Sequence, residues 1–296
     1  MLGNQWYKKE MPLKGLFGMG VGGSGPGETP PGITYVGAHA ATTNGSYSIL
    51  HITGGGAMTV SGGPHDVDFI MVARGGSNNH WYKGGGGGGG GFMYGTGLPM
   101  TDGTYPVSFG THEYVWNNFT CNRGGGCGRP YGTRPANFGG PPTLAPVPHG
   151  NPQAKNGIPG GSGGGGSTRP TWGVAGNGTQ PGVSNPNSPN CSTFSQQGRP
   201  GRNQGAGGGA KSNGSNTTGG QGWPLAFDPT IPNDGGPWGA GANVPNYNTN
   251  SYPMESGGRA TQGNAPGLGS GGGLPGADRT TNLGTPGSLS IKYLTP

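Results

Sequence analysis

Of the 296 residues, 74 are glycine, 30 are proline and only 28% are apolar. A chain of this length has room for two average domains, yet its composition excludes two full hydrophobic cores and, having no triplet repeat, excludes collagen as well. The net charge of +6 rests on scattered residues, with 9% of the chain charged; no Lys/Arg block is present for nucleic acid, and no run of roughly 18 apolar residues is present to span a membrane as a helix.

The chain begins with Lys8 and Lys9 in a segment that no apolar stretch follows, so a secretory leader is not expected. Residues 1–31 read as an extended arm. Trp6, Tyr7, Leu13, Leu16 and Phe17 are apolar anchors, and Gly15, Gly18 and Gly20 break any helix between them. Such a segment cannot bury its anchors on itself. It reads as a docking peptide for another protein, with a strap along the chain's own sheet as the alternative.

Residues 32–120 read as a β-sheet domain. Strand patterns occur at Ile33-Thr34-Tyr35-Val36, at Tyr47-Ser48-Ile49-Leu50-His51-Ile52 after the turn dipeptide Asn44-Gly45, and at 57–61. Residues 67–73 form the most apolar run and the expected central strand. Further strands are expected at 104–109 and 114–116; Pro106 cannot donate to a ladder, which predicts an edge or a bulge there.

Between these strands lies an unbroken octaglycine: Gly84, Gly85, Gly86, Gly87, Gly88, Gly89, Gly90 and Gly91. Glycine loses the most freedom on ordering and has no side chain to bury. A linker is the simplest reading, but a linker joins self-sufficient domains, and the chain beyond lacks apolar residues for a second core. Ordered glycine must instead pair its peptide groups with neighbours. Polyproline II geometry, with three residues per turn, directs those groups outward. The expectation is a bundle of polyproline II-like glycine helices nucleated by the sheet.

Residues 121–287 carry more glycine clusters, separated by Pro/Asn/Thr stretches, with neither helical nor strand periodicity. Trp172, Trp223, Trp238, Tyr247 and Tyr252 stand in polar surroundings, as aromatic contacts in recognition loops do. They read as receptor-contact candidates, or alternatively as plugs of small local cores. Residues 288–296 return to strand pattern and must pair with the N-terminal sheet. The fold class is therefore mainly β: a small antiparallel sheet or sandwich with a glycine-rich bundle and long loops, and almost no α-helix.

Nothing reads as an enzyme. Gly160-Gly161-Ser162-Gly163-Gly164 matches a nucleophile elbow in letters only, without strand–turn–helix context. The histidines His39, His51, His65, His80, His112 and His149 show no metal spacing, and neither metal nor cofactor is expected. Cys121 and Cys127 could close a small loop, leaving Cys191 over; free thiols are the favoured reading.

The order of these features resembles a glycine-rich domain found in proteins of marine bacteriophages. There a hairpin like Tyr47–Ile52 and 57–61 precedes a strand like 67–73. A glycine run follows, then a segment like Gly97-Leu98-Pro99-Met100-Thr101-Asp102-Gly103-Thr104-Tyr105-Pro106-Val107-Ser108-Phe109-Gly110, and finally a strand like 288–293. The resemblance covers residue 33 to the C-terminus, with shorter glycine runs and more proline and asparagine here. The bundle is also similar to tail-fibre tip adhesins of T-even phages, whose glycine lattice presents receptor-binding loops. These resemblances imply a virion structural protein at a fibre or tail tip. Its arm would meet other virion proteins, and its loops a host glycan or outer-membrane protein; self-association is compatible. The alternatives are a capsid decoration or head-fibre protein, or a nonviral adhesive protein.

Overall fold

The computed structural model describes residues 32–77, 85–127, 156–166, 173–180, 192–194, 205–215, 219–222, 238–239, 241–242 and 284–295. Among them there are eleven strands and no helix. The strands are β1 (Gly32–Val36), β2 (His39–Asn44), β3 (Tyr47–Ile52), β4 (Gly56–Ser61), β5 (His65–Val72), β6 (Phe92–Met100), β7 (Gly103–Phe109), β8 (Glu113–Trp116), β9 (Phe119–Asn122), β10 (Ser192–Phe194) and β11 (Ser288–Leu294). The fold is mainly β, as the sequence implies.

Two antiparallel sheets form, in the orders β1-β4-β7-β8-β9 and β10-β6-β5-β11-β3-β2. Alternation places one face of each against the other. Ile33, Met58, Val60, Val107 and Trp116 of the first sheet share a buried core with Leu50, Ile52, Val67, Phe69, Met71, Leu289 and Ile291 of the second. Phe69 anchors its centre, with ring centroids 5.1 Å from Trp116 and 4.8 Å from Phe119. Edge-to-face and tilted rings of this kind add to the area they bury.

Tight turns set the register. Asn44 pairs with Tyr47 across Gly45 and Ser46, where Gly45 sits at φ 61°. Trp116 pairs with Phe119 across Asn117 and Asn118, both at positive φ, a conformation that asparagine tolerates better than other non-glycine residues.

The last strand enters the middle of its sheet rather than its edge. β11 pairs with β3 on one side and β5 on the other, so chain segments more than 200 residues apart lie side by side. The 67–73 run is indeed interior, as β5 between β6 and β11.

The edge position expected for residues 104–109 is corrected. β7 is an interior strand between β4 and β8. Pro106 is tolerated because β8 pairs only with Val107, Ser108 and Phe109, so at Pro106 the strand has β4 alone as its partner. The missing donor therefore deprives β8 of nothing. The proline rule holds for the residue and fails for the strand.

The sheets and the glycine segments belong to one compact unit, Pro31–Pro296. The boundary drawn from sequence near residue 120 is crossed directly, since β9 continues into residues 123–127 of the glycine-rich part. The docking arm (Trp6, Tyr7, Leu13, Leu16, Phe17) lies outside the described residues.

Candidate functional site: a backbone-bonded glycine bundle

Four glycine-containing segments grow straight out of strands. Residues 73–77 follow β5, residues 85–91 lead into β6, residues 123–127 follow β9, and residues 284–287 lead into β11. The sheets thus fix where the bundle starts.

Residues 85–91 are buried throughout and lie at its centre. The Gly86 and Gly89 amides donate to Gly205 and Gly208, each at 2.9 Å, while those of Gly88 and Gly91 donate to Gly125 and Asn122, each at 2.8 Å. On the acceptor side, the carbonyls of Gly86 and Gly89 receive Gly165 and Ser162, and those of Gly88 and Gly91 receive Gly76 and Ala73. The Gly87 carbonyl receives Ala242. Apart from Ala242, each neighbour is met at two residues three apart. The order of partners makes 73–76, 122–125 and 162–165 antiparallel to the central segment and 205–208 parallel to it.

That three-residue rhythm continues outward: Gly205 and Gly208 donate to Gly166 and Gly163, and Gly157 and Gly160 to Val174 and Asn177. Each bond contributes about 0.5–1.5 kcal/mol net, close to the roughly 1–2 kcal/mol that ordering a residue costs. A lone segment would not stay ordered; a segment bonded on several sides can.

Only glycine permits this spacing. A Cβ added at Gly85, Gly87, Gly88 or Gly90 would stand less than 3.0 Å from backbone oxygen of a neighbouring segment, closer than real Cβ atoms approach. The non-glycine residues inside are small or confined to the margins: Ser162, Ala206, Ala210 and Ala242 are fully buried, and Ile158 packs on Cys127. Ser162 settles the letter-match to a nucleophile elbow, because its hydroxyl is sealed in the bundle with no hydrogen-bond partner.

Two side chains bind the bundle to the sandwich. Arg123 is 3% exposed, and its guanidinium donates to the Ser77 hydroxyl at 2.8 Å and to the carbonyls of Gly75 and Thr111 at 3.4 Å. Burial, reinforced by nearby Arg74, lowers its pKa to about 10. Gln180 does the work of a strand at the edge of β9: its carbonyl accepts from the Asn122 amide at 3.0 Å and its amide donates to the Thr120 carbonyl at 2.6 Å. Neither role has a sequence signal, since a lone Arg and a lone Gln in polar surroundings look like solvated residues.

Among the aromatic candidates, Trp238 lies within the described residues. It is fully buried with Ile70, Val72, Phe92 and Ala210, on the face of β5 and β6 opposite the sandwich core. That burial agrees with the second of the two readings, a plug of a small local core. Trp172, Trp223, Tyr247 and Tyr252 lie outside the described residues, as does Gly84. Cys121 and Cys127 are both buried and are not bridged to each other, and burial pushes the Cys121 thiol pKa far up, making it a poor nucleophile. Among the described residues, no group of three His, Cys, Asp or Glu could hold a metal ion.

Comparison with protein-family models, with curated proteins and with solved structures gives no match.

Proposed function

We propose that the protein is a structural component of a bacteriophage virion, a fibre or tail-tip protein that meets the host surface. The sandwich and the bundle are its stiff body. The bundle segments are polyproline II-like helices, in keeping with the three-residue rhythm of their bonds. The polar stretches between them, such as 128–155, 223–237 and 243–283, are the recognition elements, and the arm of residues 1–31 docks on the particle.

The observation that carries this reading is the frame itself. Glycine segments from distant parts of the chain are bonded to one another through peptide groups, without relying on side chains. Such a scaffold fixes both ends of each intervening stretch and leaves its sequence free to vary. Rigid scaffolds bearing variable loops are a common solution for binding.

Electron microscopy of particles carrying a gold-labelled antibody against the protein tests the reading. Label at the tail or fibre end is expected. Label spread over the head would instead make it a capsid decoration protein, and its absence from particles would overturn a virion role. Deleting residues 1–31 should abolish incorporation; unchanged incorporation would reject the docking arm.

A further inference from the structure

β2 overhangs the sandwich. Its residues His39, Ala41 and Thr43 pair with Ile52, Leu50 and Ser48 of β3, which places them on the face that β3 turns toward the core. The first sheet, however, ends at β1. His39, Ala41 and Thr43 are consequently exposed, and a cleft of about 480 Å³ opens between β1 and the β2–β3 hairpin. Its size falls within the roughly 300–1,000 Å³ of small-molecule sites.

The lining has a definite chemistry. Ile33, Leu50 and Tyr293 supply apolar surface, Thr34 and Thr43 supply hydroxyls, and the Ser48 hydroxyl is bonded to that of Thr295 at 3.0 Å. The tyrosine hydroxyls that border it are engaged elsewhere, Tyr35 with the Gly54 carbonyl and Tyr293 with the Ile33 carbonyl. His39 is held in place at two points: its ring meets Tyr35 edge-on at 5.5 Å, and Nδ1 lies 2.9 Å from the Gly37 carbonyl. A carbonyl only accepts, so in the neutral ring Nδ1 carries the proton and Nε2 is an acceptor. No Asp, Glu, Lys or Arg is among the lining residues.

The geometry points to this cleft as a binding site for one or two neutral sugar units. Hydroxyls that both donate and accept, one oriented acceptor nitrogen and an apolar floor match a ligand with hydroxyls at its rim and C–H surface on its face. An ionic ligand would find no carboxylate, ammonium or guanidinium in the lining, and a purely apolar one would leave the Thr34 and Thr43 hydroxyls unused. That the sugar belongs to a host-surface glycan rests on the attachment reading above; the cleft itself does not.

The test is titration of the full chain, followed by backbone amide NMR, with methyl glucoside, methyl galactoside, methyl mannoside and N-acetylglucosamine, with glucuronate as the charged control. At least one neutral sugar should shift residues of β1 and β2 with a millimolar Kd, and glucuronate should bind more weakly. Thr43→Trp, which fills the cleft from an exposed strand position, should weaken binding about tenfold or more without changing the unfolding midpoint. His39→Ala should weaken it too and serves if the tryptophan variant does not fold. No shift with any neutral sugar, equal or tighter binding of glucuronate, or binding unaffected by either substitution would overturn the site. Adsorption to host cells is measured in parallel. Adsorption by a protein that binds no sugar rejects the cleft and spares the attachment reading, whereas sugar binding that Thr43→Trp removes, in a protein that adsorbs to no cell, supports the cleft and rejects attachment.

Discussion

The Tyr293 hydroxyl donates to the Ile33 carbonyl at 3.0 Å, joining residues 260 apart in sequence and linking the last strand of one sheet to the first strand of the other. Everything between them, including the glycine bundle, is closed into one loop by that contact and by the pairing of β11 between β3 and β5. Tyr293→Phe removes one donor and strands a carbonyl on buried Ile33. The expected loss is about 1–3 kcal/mol, read as a lower midpoint in denaturant with the slope unchanged. Full wild-type stability would show that the hydroxyl is not needed for closure.

Glycine is required at two positions for opposite reasons, and the same substitution separates them. Gly97 sits at φ 63° with open space around it, while a Cβ at Gly88 would run into backbone oxygen of Ser162 and Gly163. Gly97→Ala should cost about 1–2 kcal/mol, the penalty of the left-handed conformation, and should fold. Gly88→Ala must push two hydrogen-bonded segments apart and should prevent folding or lower the thermal midpoint far more. Equal effects of the two substitutions would mean that the central segment tolerates side chains and behaves as a linker.

Sequence pattern exposed the strands rich in buried apolar residues. β4 and β11 place apolar residues at alternate positions, β3 and β5 carry apolar runs buried on both faces, and all four were readable. β2 was not, because His39, Ala40, Ala41, Thr42 and Thr43 are small or polar and none is buried. β6 was not either: Gly95, Gly97 and Pro99 argue against a strand, and β5 and β10 hold it in place from both sides. For the bundle, sequence reasoning could deduce that ordered glycine needs peptide partners. It could not name them, because a glycine segment has no side-chain pattern by which to choose Gly125 over Gly208. Trp238 shows the same limit, since polar neighbours in sequence say nothing of Val72 and Phe92 brought to it by the fold.

The burial of Trp238 yields a third expectation. Trp238→Ala empties the contact with Ile70, Val72, Phe92 and Ala210 that seals the bundle on the sheet. Loss of a buried tryptophan costs about 3–5 kcal/mol, so the variant should unfold at clearly lower temperature. A receptor-contact residue would behave the other way, with a normal unfolding midpoint and reduced adsorption. Thermal unfolding followed by circular dichroism, alongside an adsorption assay, distinguishes the two.

The pair His51 and Ser290 contributes to the acid response. They are register partners on β3 and β11, both buried, with Nδ1 2.9 Å from the serine hydroxyl. Burial lowers the histidine pKa below its usual 6.5. Over the window from about 6.5 down to that lowered value, the unfolded chain takes up a proton that the folded chain refuses. Stability contributed by the neutral ring is therefore present above pH 6.5 and is lost as pH falls, by at most about 1.4 kcal/mol per pH unit. His51→Asn can keep a hydrogen bond to Ser290 but does not titrate. Its stability relative to the wild type should rise between pH 7 and pH 5, measured by chemical denaturation at each pH. Parallel pH curves for the two proteins would show that His51 protonates equally well in both states, and that its burial carries no penalty on charge.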